Sequence, residues 1–79
     1  MKIPAIKKLV ENYSTEQLAK AEEDIIEERE LEIEVEGEDE GEQLTHVIAA
    51  SWILNEMSNG VEFKKALRAY TQKVRDSIS

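Results

Sequence analysis

Residues 30–37 read Glu-Leu-Glu-Ile-Glu-Val-Glu-Gly, and the partner this run finds decides the fold. Apolar and charged residues alternate strictly, which is the side-chain period of a half-buried strand. Ile33 and Val35 are β-branched and favour extended backbone. No other stretch of the chain carries this period, and a lone strand leaves both of its edges unpaired. Three outcomes are open. The run lies as an extended cover with Leu31, Ile33 and Val35 docked on helices, pairs with its copy in another subunit, or prolongs the helix before it. Twofold pairing centred on Ile33 sets Glu32 opposite Glu34, and like charges directly opposite are destabilising. The extended cover is preferred. The chain is therefore read as an all-α, compact four-helix domain, residues 1–79, with one short extended acidic segment (about 30–36) between the second and third helices.

Upstream, Pro4 suits a first helical turn, where its missing N–H is no loss. Ile6, Leu9, Val10 and Tyr13 then recur at helical spacing, predicting a helix over about 4–13. Ser14-Thr15-Glu16-Gln17 matches a capping box that starts a second helix running to about Glu28 and burying Leu18, Ala21 and Ile25, with Ile26 as a further candidate for burial. Acids crowd its C-terminal half, the wrong end for the helix dipole, so that half needs a basic cover to avoid fraying. Downstream, Gly37 and Gly41 bracket an acidic turn, and a third helix is predicted from Glu42 to about Ser58. It is apolar over most of its circumference, so more than one neighbour must bury it. That points to a central helix and to a homodimer through Leu44, Val47, Ile48 and Trp52. Asn59-Gly60 supplies left-handed cap chemistry. A fourth helix over about 61–78 buries Phe63, Ala66, Leu67, Tyr70, Val74 and Ile78 and exposes Lys64, Lys65, Arg68, Lys73 and Arg75.

The charge follows this layout. The 79 residues carry 18 acids and 10 bases, a net of -8. Glu22–Glu42 alone holds 13 acids against the single base Arg29, a net of -12, which leaves +4 for the rest. A strongly acidic middle argues against nucleic acid, whose binding depends on Lys and Arg neutralising phosphates. It argues for a basic partner, or for basic segments of the same chain. A chain this short forms one domain and buries about 60% of its unfolded surface, which excludes a two-lobed enzyme. Leu, Ile, Val and Phe make up about a quarter of the residues and are periodic, so the chain is read as folded rather than disordered. The absence of cysteine removes disulfides, thiolate catalysis and sulfur-ligated metals. No apolar run approaches the ~20 residues needed to cross a bilayer, and the N-terminus lacks a signal-peptide core. A cytoplasmic protein without a membrane association is expected.

Glu36, Glu38, Glu40 and Gly41 reproduce the first half of a calcium-loop spacing, but the position that must supply a bidentate Glu is Val47. His46, the only histidine, shares a helix face with Glu42. Gln43 stands where a Glu-x-x-His metal motif needs its acid. A divalent-metal site would draw on Glu38, Asp39, Glu40, Glu42 and His46. The plainer alternative is a histidine hydrogen-bonded near the helix start and packed against the acidic segment. No Cys–His pair, nucleophile elbow, phosphate-binding glycine loop or HExxH is present, and Ser51 and His46 do not face each other. No catalytic residue, enzyme activity or cofactor is expected.

Three stretches, MKIPAIKKLVE (1–11), EVEGEDEGEQLTHVIAA (34–50) and ALRAYTQKVR (66–75), together resemble a small family of uncharacterised bacterial proteins, a domain of unknown function. The likeness runs the full length. It implies compact single-domain members with no established activity and no catalytic residues to carry over, and it directs attention to Gly37, Gly41, Thr45, His46 and Tyr70. The expected function is a small acidic interaction module that binds a basic protein through Glu30–Glu42, with Glu32, Glu34, Glu36, Glu38, Asp39 and Glu40 as contact residues. The alternative is the divalent-metal-binding protein described above.

Overall fold

The structure, a computed structural model, describes residues 2–78. Four helices follow in order: α1 Ile3–Asn12, α2 Thr15–Ile26, α3 Glu40–Ser58 and α4 Phe63–Ile78. There is no strand among the described residues, and 30–39 is irregular chain.

Local chemistry accounts for each boundary. Pro4 lies in the first turn of α1. The Ser14 hydroxyl accepts from Gln17 N–H at 3.2 Å, and the Gln17 side chain accepts from Ser14 N–H at 2.9 Å, so the capping box is complete. Asp39 caps α3 by accepting from Glu42 N–H at 2.8 Å, which places Gly41 inside the first turn rather than at its edge. α3 ends at Gly60 (φ 94°), with Gly60 N–H donating to Met57 and Val61 N–H to Glu56. This is the pair of hydrogen bonds that closes a left-handed cap. α2 ends by the same pair of bonds, Glu28 N–H to Ile25 and Arg29 N–H to Asp24, but a glutamate occupies the left-handed position, at φ 57°.

α3 is the central element, and α1, α2 and α4 all pack on it. Ala49, Ala50, Ala21 and Ala66 are buried at these crossings and let backbones approach. Much of its apolar surface is thus met by three neighbours within one chain, with Leu44, Trp52, Leu54 and Met57 partly buried. Val47 is fully buried in the chain's own core, and Leu44 and Trp52 pack partly buried against that core. Of the expected dimer residues only Ile48 is largely open, at 38%. The expectation that Val47 meets a partner is corrected, because α1, α2 and α4 enclose the same core first. Ile26, a candidate for burial in the sequence, is instead 63% exposed as the last residue of α2, and the predicted burial of the Ile78 side chain lies outside the described residues.

The extended segment is the cover that the alternation favours. Val35 is buried, and Leu31 and Ile33 pack partly buried against the core. Side chains from the helices take the place of a partner strand. Tyr13 Oη accepts from Glu34 N–H at 3.3 Å, Gln43 Nε2 donates to the Val35 carbonyl at 3.1 Å, and His46 Nδ1 meets the Glu36 carbonyl at 2.7 Å. Backbone groups that a sheet would have satisfied are satisfied here one at a time.

Candidate functional site

The acidic cover and the end of α2 form one continuous surface. His46, at the base of α3's first turns, is fully buried. Its Nε2 accepts from Lys2 N–H at 2.9 Å while Nδ1 faces the Glu36 carbonyl. A carbonyl only accepts and an amide only donates, so Nδ1 carries the proton and Nε2 does not. Both ring nitrogens are thereby occupied. The acidic segment touches His46 through a backbone oxygen, and the ring is a neutral clasp between the N-terminus and the cover.

That removes His46 from metal ligation. The remaining candidates do not converge either. Asp39 Oδ1 is the α3 cap, Glu42 Oε1 accepts from Glu38 N–H at 3.0 Å, and Glu38 and Glu40 project into solvent. Among the described residues no group of three or more His, Asp or Glu side chains is placed to hold a metal ion. Helix capping uses these acids first, because Asp and Glu ahead of a helix meet its unpaired N–H groups.

The basic cover that α2 needs comes from its own neighbourhood. Arg29 returns over the helix end to reach Glu23 at 3.0 Å, Glu27 at 3.2 Å and Asp24 at 3.3 Å. Lys20 contacts Asp24 Oδ1 at 2.7 Å and Glu32 at 3.5 Å. The hydrogen bond to Asp24 holds the Lys20 ammonium above the usual lysine range, with lesser help from the Asp24 and Glu32 charges. Arg29 is raised likewise, chiefly by its hydrogen bond to Glu23. From α1, Lys8 reaches Glu36 at 3.6 Å. No cation of α4 pairs with the segment among the described residues, although the pattern allowed that neutralisation within one chain.

Asp24 is the residue that sequence reasoning missed. It lies within the acidic run Glu22–Glu42, yet its side chain is 1% exposed. The signal was present: Lys20 four residues before it on the same face and Arg29, the run's only base, just beyond the helix end. Of the expected contact residues, Glu32 and Glu36 are ion-paired and Asp39 is a cap, while Glu34, Glu38 and Glu40 are exposed. With Glu28 and Glu30, these three make no ion pair among the described residues.

Over residues 1–79 the chain matches the model of a family described as a family of unknown function, DUF6952. It belongs to that family. The full-length match agrees with the resemblance carried by the three sequence stretches, and this DUF6952 chain brings no assigned activity with its membership. No curated protein and no solved structure matches it. No helix among its described residues is long and apolar enough to cross a membrane.

Proposed function

We propose that the protein is a small, non-enzymatic, cytoplasmic interaction module whose Glu30–Glu42 surface binds a basic protein partner. The observation that carries this reading is the fixed presentation of unpaired charge. Glu30, Glu34, Glu38 and Glu40 are exposed and make no ion pair among the described residues, on a segment whose backbone is pinned by Tyr13, Gln43 and His46. A charged ridge that is already ordered loses little conformational entropy on binding. It also steers a complementary partner and deters like-charged ones. Single exposed pairs contribute about 0–1 kcal/mol each, so recognition depends on several acids acting together.

The test is capture on the immobilised full chain beside a Glu30→Gln/Glu34→Gln/Glu38→Gln/Glu40→Gln variant. A basic protein should be retained by the first, released as salt rises, and lost from the second. Equal retention by both chains, or retention indifferent to salt, would remove the acidic surface from the function.

A further inference from the structure

On one side of α2, Lys20 reaches Glu32 of the acidic cover. On the opposite side, Thr15 and Glu22 line a shallow groove of about 350 Å³ with Ile48, Ser51, Trp52 and Asn55 of α3. Ile26 continues the α2 wall one turn beyond Glu22. In a chain whose residues are 35% charged, this groove is lined by a single charge, Glu22. Its apolar surface is open. Ile26 and Ile48 are two of the three large apolar side chains left exposed among the described residues. Trp52 is half-buried, and its ring lies against the buried Tyr70 with centroids 5.7 Å apart, which holds the indole from behind. A fixed, half-open tryptophan beside exposed aliphatic side chains is the usual make-up of an interface anchor.

Charge identifies the occupant. Glu22 is half-buried in the groove wall, it makes no ion pair among the described residues, and no Lys or Arg lines the groove. Gly41, Thr45, Ile48, Trp52 and Asn55 recur at helical spacing along one face of α3, so the groove runs into the acidic turn that carries Glu38 and Glu40. A second copy of the chain brings the same net charge of -8 and is repelled. A groove between two packed helices accepts the side-chain ridge of a third. The helix that fits has an apolar stripe flanked by Lys or Arg.

Resting on the reading of an interaction module, we propose that the basic partner presents an amphipathic helix to this α2–α3 groove. Its apolar stripe packs on Ile48 and Trp52, and its flanking cations meet Glu22 and, at the acidic turn, Glu38 and Glu40. The exposed ridge then provides steering, and the groove selects a helix face rather than charge alone.

The probe is a helical peptide of leucine and lysine with its leucines on one face, titrated into the isotope-labelled full chain. Amide shifts and the emission of Trp52, the single tryptophan, report binding. A scramble of the same composition without an apolar face, and a counterpart with glutamate for lysine, run in parallel. Trp52 emission should move to shorter wavelength and the shifts should centre on residues 15–26 and 45–55. Both control peptides should bind at least about tenfold more weakly. Ile48→Ser should weaken the peptide about tenfold, and Glu30→Gln/Glu34→Gln on the cover less than about threefold. Because Ile48 is partly covered by its neighbours, the exposed Asn55→Lys serves as a second variant that sets a like charge in the groove. It should leave the melt unchanged and weaken binding at least about threefold. Equal binding of the scramble, or cover variants that cost as much as groove variants, means diffuse attraction: the groove assignment is overturned and the interaction module stands. Absent shifts at 45–55 likewise overturn it, and equal binding of the glutamate peptide overturns the basic occupant. A dimer in sedimentation that Ile48→Ser abolishes gives the groove to a second copy and overturns the helical partner. The module itself stands or falls separately, on the capture experiment.

Discussion

His46 joins three parts of the chain through one ring: α3, the cover through Glu36, and the N-terminus through Lys2. His46→Ala would strand a backbone donor and a backbone acceptor and leave a void beneath the cover. A loss of about 2–4 kcal/mol is expected in chemical denaturation, a large share of what a chain this size has available. Long-range nitrogen–proton spectra should show the Nδ1–H tautomer, and an Nε2–H signal would refute the clasp. Glu28 offers the opposite case. Its left-handed backbone disfavours a side chain with a Cβ, so Glu28→Gly should raise stability by up to about 1 kcal/mol. Gly37 has no such freedom. A Cβ there would stand 2.8 Å from the Gln43 backbone nitrogen, and Gly37→Ala should loosen the junction of cover and α3. At alkaline pH two groups act together: Lys20, raised by Asp24, and the Tyr70 phenol, pushed up by burial. A raised value means stability fully present below the ordinary values of 10.5 and 10.0 and lost as pH climbs through the folded ones. Stability should therefore fall above about pH 10, and Tyr70→Phe should make that decline shallower.

At the scale of elements, the cover behaves as an irregular strap whose backbone bonds are supplied by side chains. Gln43→Ala removes the donor to the Val35 carbonyl, so amide exchange should quicken in residues 33–37 before it does in α3. Uniform acceleration across both would show that cover and helix open as one unit. The helices were legible because each carries its own signals: Pro4, the Ser14–Gln17 box, Asn59-Gly60, and apolar residues at helical spacing. The alternation in 30–36 identified which side chains turn inward. It could not identify what satisfies the backbone between them, since Tyr13, Gln43 and His46 come from elements distant in space until α1 and α3 pack. Asp24 was obscured for a related reason. Its burial follows from two cations converging on it, and one of them, Arg29, arrives only after the chain reverses through Glu28.

For the whole molecule, the core closes within one chain around α3. The thermal midpoint should not depend on protein concentration, whereas an obligate dimer would melt higher as concentration rises. Sedimentation at micromolar concentration should accordingly report a species near 9.0 kDa. Among the described residues, the exposed Lys64, Lys65, Arg68, Lys73 and Arg75 of α4 make no ion pair with the acidic cover. The four helices, most of the inward-facing apolar set and the concentration of charge in one segment were legible in the sequence alone, because they depend on spacing and on local capping. The clasp of the segment by His46, the burial of Asp24 between Lys20 and Arg29, and the enclosure of Val47 by α1, α2 and α4 emerged only when the elements packed. Those outcomes depend on which groups meet across the fold, and hydrogen-bond satisfaction and enclosure are properties of that meeting rather than of any single stretch of chain.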